Sequence, residues 1–276
     1  MKYAFMTFSC PRLTLADVLA LARRCGYDGI EPRTVSGHAH GVELDADAAR
    51  RAEIRKSAEA AGVAICCVAT SLQYADPALA ATLGAETRAY IDLAADVGCP
   101  RIRVFGGLIP EGVERRQATD GMVAALGSVA DYAAKRGVVI CVETHDDWCN
   151  PDHLAEVMRR VDHPAVGVNW DIMHPVCRAG ATIESAFATL RPWIRHVHFH
   201  DGRPKEEGDG VNLVPVGEGI VDHRRAVELL LGAGYDGYLS GEWINWEPYD
   251  VHLPRELATM KRYERAAARG QRGPRR

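Results

Sequence analysis

The sequence predicts one (β/α)8 barrel, and three observations carry that reading. Short β-branched runs alternate with stretches of helical periodicity, eight of each, which is the signature of successive βα units around a parallel sheet. Several helices close on glycine just before the next strand, as at Cys25-Gly26, Ala61-Gly62 and Arg136-Gly137, where a left-handed residue ends the helix. The segment after the first strand, Cys10-Pro11-Arg12-Leu13, is no glycine-rich phosphate turn, so a doubly wound open sheet is disfavoured. At 276 residues the chain suits one barrel, which typically takes about 250 residues.

The elements are expected in this order. Strands fall at Tyr3–Phe8, Gly29–Pro32, Ala64–Ala69, Arg101–Phe105, Val138–Glu143, Val166–Trp170, Ile194–His200 and Gly237–Glu242, each an apolar run bounded by turn residues. Helices fill the intervals at Leu13–Cys25, Ala46–Ala61, Leu83–Val97, Asp120–Lys135, Asp152–Arg160, Ile183–Leu190, His223–Gly232 and Leu253–Ala267. The interior shows no linker, so residues 1–268 read as a single domain. The basic Gly/Pro-containing end, residues 269–276, reads as a disordered tail.

Composition narrows the function classes. A formal charge of −4 with no dense basic patch argues against a general nucleic-acid binder. No membrane span or secretory leader is legible, so a cytoplasmic location is the expectation. The eight cysteines lie in apolar segments without CxxC spacing, which suits buried thiols in a reducing compartment.

In such barrels the chemistry sits at the C-terminal ends of the strands. Four late strands finish in polar residues: Glu143 on strand five, Asp171 on strand six, His198 on strand seven and Glu242 on strand eight. Glu143, Asp171 and His198 lie 28 and then 27 residues apart, close to one βα repeat, so parallel strands bring them to one level. Three carboxylates and one imidazole form a mostly hard donor set for one divalent cation; Mn²⁺ and Mg²⁺ suit it best, and Co²⁺ and Zn²⁺ are compatible. His196, His198 and His200 share the inward face of their strand. His198 is the candidate ligand, His200 a rim contact for substrate, and His196 a supporting or core residue.

These residues resemble the sugar phosphate isomerase/epimerase family of xylose isomerase-like TIM barrels, which includes tagatose/psicose 3-epimerases, hydroxypyruvate isomerases and inosose dehydratases. The resemblance runs to about Leu257 and rests on Val142-Glu143-Thr144-His145, Asn169-Trp170-Asp171-Ile172-Met173-His174, Ile194-Arg195-His196-Val197-His198, Val216-Gly217-Glu218-Gly219-Ile220-Val221-Asp222 and Tyr238-Leu239-Ser240-Gly241-Glu242. Gly26-Tyr27-Asp28-Gly29-Ile30-Glu31 looks like the family's second-strand phrase. The resemblance implies that Glu143, Asp171, His198 and Glu242 bind the metal and that His174 contacts substrate. Its alternative for His174 is a loop cap before Pro175.

Two departures bear on substrate. The sugar-specific epimerases carry Glu-Pro-Leu-Asn-Arg at strand five, where this chain has Glu143-Thr144-His145-Asp146-Asp147-Trp148. Many relatives carry Lys before the Asp that follows strand seven, where His200 stands here.

The implied reaction is proton removal next to a carbonyl of a sugar, keto-polyol or related hydroxy-carbonyl compound, through an enediolate that the metal stabilises. Glu143 and Glu242, on opposite sides of the cavity, are the candidate acid–base pair. His145 and Trp148 are candidate substrate contacts, Trp148 and Trp243 forming an apolar wall or packing in the core. Arg33, Arg103, Arg203 and Lys205 could hold a carboxylate or phosphate, with ordinary surface charge as the alternative. Lys205-Glu206-Glu207-Gly208-Asp209 is expected to edge a lid, and His38 and His40 to close over a ligand, supply a second metal or sit in solvent. A homo-oligomer, dimer or tetramer, is expected. Competing readings are a dehydratase of the dehydroshikimate or inosose type, an apurinic endonuclease and a metal-binding protein without turnover.

Overall fold

A computed structural model of the chain describes residues 1–205 and 210–271. The strands are β1 (Lys2–Met6), β2 (Gly29–Glu31), β3 (Ala64–Ile65), β4 (Val68–Gln73), β5 (Arg101–Phe105), β6 (Val139–Glu143), β7 (Val166–Asp171), β8 (Ile194–Phe199), β9 (Asp201–Pro204), β10 (Val211–Val214) and β11 (Tyr238–Gly241). Nine form one parallel sheet in the order β3-β2-β1-β11-β8-β7-β6-β5-β4. The two ends of that order are consecutive in the chain, separated only by Cys66-Cys67. The predicted third strand is therefore split into β3 and β4. The ring closes across the split: Cys66 N–H donates to the Ile30 carbonyl, Ala69 N–H to that of Pro32, and Thr34 N–H to that of Ala69. Arg33 and Ala69 form a parallel bridge there. The result is the eight-position (β/α) barrel expected.

Helices α1 (Leu15–Cys25), α2 (Ala48–Ala61), α3 (Ala80–Asp96), α4 (Arg115–Arg136), α5 (Pro151–Val161), α6 (Met173–Ala179), α7 (Ile183–Leu190), α8 (His223–Gly232) and α9 (Tyr249–Gln271) connect the strands. α1 shows the logic: Thr14 caps its first turn by accepting from Asp17 N–H, Leu15, Val18, Leu19, Leu21 and Ala22 face the barrel, and Gly26 ends it at φ 84°. Trp148, Trp170 and Trp243 are fully buried in the shell between strands and helices.

Three features depart from expectation. α6 is a short helix inside the connection after β7, too brief and too close to Pro175 to show a periodic stripe. The connection after β8 is an antiparallel hairpin, β9 with β10, pairing Asp201 with Val214 and Pro204 with Val211. α9 starts four residues ahead of Leu253, because Pro254 reads as a first-turn residue yet lies one turn inside. α9 also reaches Gln271, three residues into the expected tail; residues 272–276 lie outside the described residues, as do 206–209 of the expected lid edge. No described helix is long and apolar enough to cross a membrane.

A buried carboxylate and histidine cluster as candidate metal centre

Parallel register brings the strand ends to one level. Asp171 pairs with His198 and Ser240 pairs with His198, so Glu242, just past β11, comes beside them; Glu143 pairs with Asn169, two residues before Asp171. One donor atom each from Glu143, Asp171, His198 and Glu242 lie within 4.8 Å of one another, and all four residues are buried. This is the set expected from sequence.

His198 stands at its centre. Its Nδ1 is 3.2 Å from Glu143 Oε1 and 3.1 Å from Glu242 Oε2. Its other nitrogen, Nε2, is 3.1 Å from both oxygens of Glu31. Glu31 also lies 2.8 Å from His196 Nε2. Glu31 closes β2 and is fully buried, yet sequence reasoning gave it no role. The available signal was a carboxylate ending an apolar strand phrase on an inward face.

Each carboxylate has a different setting. Arg103, itself fully buried, puts Nε 3.0 Å from Glu143 Oε2, donates from Nη1 to the Thr70 carbonyl at 2.8 Å, and stacks its guanidinium 4.0 Å from the Phe105 ring. Asp171 Oδ1 accepts the first N–H groups of α6, from Met173 at 2.8 Å and His174 at 3.0 Å, while Oδ2 lies 2.8 Å from His200 Nε2. α6 thus aims its positive end at Asp171.

The electrostatics ask for positive charge. Glu31, Glu143, Asp171 and Glu242 are buried together, and Arg103 is the buried guanidinium among them. Burial alone would raise the carboxyls of Glu31, Asp171 and Glu242, but neighbouring cationic groups win: His198 and His196 hold Glu31 well below the usual range, His200 and His174 do so for Asp171, and His198, His200 and Arg103 hold Glu242 at about 2. Conversely, burial would lower His198, yet Glu31 and Glu143 raise it well above its ordinary value. The cluster thus favours positive charge at His198, as it would favour a divalent cation. The hard, carboxylate-rich donor set fits such a cation.

Imidazoles and aromatic rings continue along the mouth. The His145 ring is 4.9 Å from Phe105 and 4.4 Å from His174, and His174 is 5.5 Å from His200. Burial lowers His174 to about 4, so it is a neutral imidazole at pH 7. For His200, burial would lower the value but the Asp171 charge raises it. His145 Nδ1 pairs with Asp146 Oδ1 at 2.9 Å. Outside this row opens a cleft of about 670 Å³ between the loops and the hairpin, lined by Leu108, Asp146, Asp147, Cys177, Arg178 and Val211.

Other candidates are placed elsewhere. Trp148 has no exposed surface; a Cβ on Gly106 would fall 2.1 Å from its ring and the Arg115 guanidinium lies 5.6 Å away, so it braces the loop after β5 rather than facing the cleft. Trp243 packs edge-on to Phe199 in the core. Arg203 is exposed and forks onto the Glu218 carbonyl through Nε and Nη2. His40 spends both ring nitrogens on backbone, at the Arg33 carbonyl and the Val42 N–H, and His38 bonds Thr7. Arg33 reaches Ser71 Oγ at 2.6 Å and the Thr34 carbonyl at 2.5 Å. Burial and nearby Arg103 lower it to about 10. The cysteines are free thiols, and burial pushes Cys10, Cys99, Cys141 and Cys149 up to about 12.

A family model described as the xylose isomerase-like TIM barrel matches residues 19–263. The chain is 27% identical over 176 residues to 3-dehydroshikimate dehydratase of Bacillus anthracis, covering 58% of this chain and 61% of that protein. It is 23% identical over 170 residues to 2-oxo-tetronate isomerase of Haemophilus influenzae, covering 58% and 62%. The aligned stretches thus span under two thirds of those relatives. Among solved structures, the probable 3-DHS dehydratase AsbF of Bacillus anthracis matches with TM-score 0.78 at 22% identity, over 95% of this chain and 99% of that one. L-ribulose 3-epimerase matches with TM-score 0.81 at 17% identity, over 99% and 98%. At these identities the structural matches establish the fold.

Proposed function

The chain belongs to the xylose isomerase-like TIM barrel family, and from that premise we propose that it is a divalent-metal-dependent isomerase or epimerase of a hydroxy-carbonyl compound. Glu143, Asp171, His198 and Glu242 would hold the ion, with Mn²⁺ the preferred occupant. The observation that carries the reading is the pair of carboxylates flanking His198 Nδ1 at 3.2 and 3.1 Å, Glu143 from β6 and Glu242 from beyond β11. When bound, the ion supplies electrostatic stabilisation of negative charge developing on adjacent substrate oxygens.

The chain's own residues do the rest. Glu242, nearer the opening, takes a proton from the carbon beside the carbonyl. Glu143, pinned by Arg103, stands across the cavity to return one. His174 and His145, on the cleft side of Asp171, orient substrate hydroxyls, and His200 positions Asp171. The cleft beyond them is sized for a small polyol or hydroxy acid. A small-molecule substrate, no nucleic acid and an oligomer of like chains complete the proposal.

A specific observation also supports a second reading. The 3-dehydroshikimate dehydratase of Bacillus anthracis appears among both the sequence relatives and the structural neighbours. The same proton removal followed by loss of a β-hydroxyl would make this site a lyase. Incubating the Mn²⁺-loaded chain in D₂O with L-ribulose, 2-oxo-tetronate, hydroxypyruvate and 3-dehydroshikimate separates the two. Solvent deuterium in an isomeric product supports isomerisation, and an absorbing aromatic product supports dehydration. Retained metal without deuterium exchange or product across the panel would contradict both.

A further inference from the structure

Glu31 is the one buried carboxylate of this cluster outside the four-residue donor set. Both of its oxygens lie 3.1 Å from His198 Nε2, and one lies 2.8 Å from His196 Nε2. An ionised carboxylate only accepts hydrogen bonds, so each imidazole must present an N–H at Nε2. For a singly protonated His198 this fixes the tautomer: the proton sits on Nε2 and the lone pair on Nδ1. Nδ1 is the nitrogen that faces Glu143 and Glu242. A lone pair aimed at two carboxylates is repulsive unless a cation lies between them.

We propose that Glu31 is the positioning residue of the metal centre, holding His198 with Nδ1 turned into the carboxylate set, with His196 fixing Glu31 from below. The proposal rests on the reading of the tetrad as a metal site. It assigns a function to a fully buried acid whose strand pairing with Met6 runs through backbone and whose side chain meets the two histidines, with the Cys66 thiol within 4.8 Å. The general chemistry supports it, because a carboxylate behind a ligating imidazole fixes ring orientation and raises ligand basicity. His196 completes the support. It and His198 stand two residues apart on the inward face of β8, their rings 5.4 Å apart, so one carboxylate spans both.

The test uses the full-length chain. With ¹⁵N-labelled histidine and bound Zn²⁺, His198 is expected to carry its proton on Nε2 and the metal on Nδ1; the opposite assignment would overturn the proposal. In parallel, Glu31→Gln keeps the side chain's shape but can no longer accept from both imidazoles through a charged group. Its Mn²⁺ affinity by titration calorimetry is expected to fall about 10- to 100-fold, with far-UV circular dichroism unchanged. Affinity equal to the parent's would overturn the proposal. Should Glu31→Gln not fold, Glu31→Asp and His196→Phe are read instead, and both are expected to weaken Mn²⁺ binding while parental affinity in both overturns the proposal. A parent chain that binds neither Mn²⁺ nor Zn²⁺ refutes the metal reading itself, an outcome separable from parental binding with an indifferent Glu31.

Discussion

Two buried acidic places lie near the barrel mouth, and their electrostatic needs are met differently. Asp201, at the start of β9, is fully buried, and backbone supplies its hydrogen bonds: Gly217 and Gly219 N–H donate to Oδ2 at 2.8 and 3.0 Å, Gly202 and Val221 N–H to Oδ1 at 2.9 and 3.3 Å, with buried His223 Nδ1 3.8 Å from Oδ2. A Cβ on Gly219 would fall 2.0 Å from Oδ1, so the Val216–Asp222 loop is wrapped around that carboxylate. Glu143 and Glu242 instead converge on the His198 imidazole, and Asp171, held by His200 and two N–H groups of α6, brings a donor atom within 4.8 Å of theirs. A carboxylate saturated by N–H groups organises a loop. Carboxylates that converge call for a cation.

The contrast can be broken or sharpened by substitution. Glu242→Gln should lower turnover by roughly 10²–10⁴-fold, the usual worth of a positioned acid–base group, with the thermal midpoint preserved; steady-state kinetics on the substrate found in D₂O reads it. Asp201→Ala should do the reverse. Leaving four buried donors without their acceptor should cost about 3–5 kcal/mol in urea unfolding, while Mn²⁺ affinity of the folded protein stays within about twofold of the parent.

pH gives a subtler handle. The folded chain holds His198 above its ordinary 6.5, so on the proposed metal reading an incoming ion would have to displace that proton. Mn²⁺ affinity should therefore weaken about tenfold per unit as pH falls below the raised value of His198, and titration calorimetry in buffers of different ionisation enthalpy would record one proton released. The smallest effect belongs to Arg203. Exposed and bound to a main-chain carbonyl, it should change stability by less than about 0.5 kcal/mol on Arg203→Ala and leave Mn²⁺ affinity unchanged.

Much of this arrangement was legible in the sequence because it is periodic. Glu143, Asp171 and His198 stand at or near the ends of apolar strands 28 and then 27 residues apart, and parallel pairing converts that near-equal spacing into equal height, with Glu242 following one longer repeat later. Features without a period stayed hidden. β2 holds three residues, too few to show alternation, so Glu31 carried no pattern of its own. α6 has seven residues, and its role is electrostatic, supplying N–H groups to Asp171, which no stripe of apolar residues records. The break between β3 and β4 comes from local backbone pairing to Ile30 and Pro32, not from a turn residue. Trp148 and Arg203 each kept two readings for the same reason: sequence shows proximity to a strand end but not which way a long side chain is committed.

The central claim is that the converging carboxylates and His198 hold one divalent ion. Elemental analysis of chain purified without chelator and re-equilibrated with Mn²⁺, run beside His198→Ala and Glu242→Ala, tests it most directly. About one ion per chain in the parent, lost in both variants, is the predicted result. No ion in the parent under either condition, or an ion retained in both variants, would contradict it.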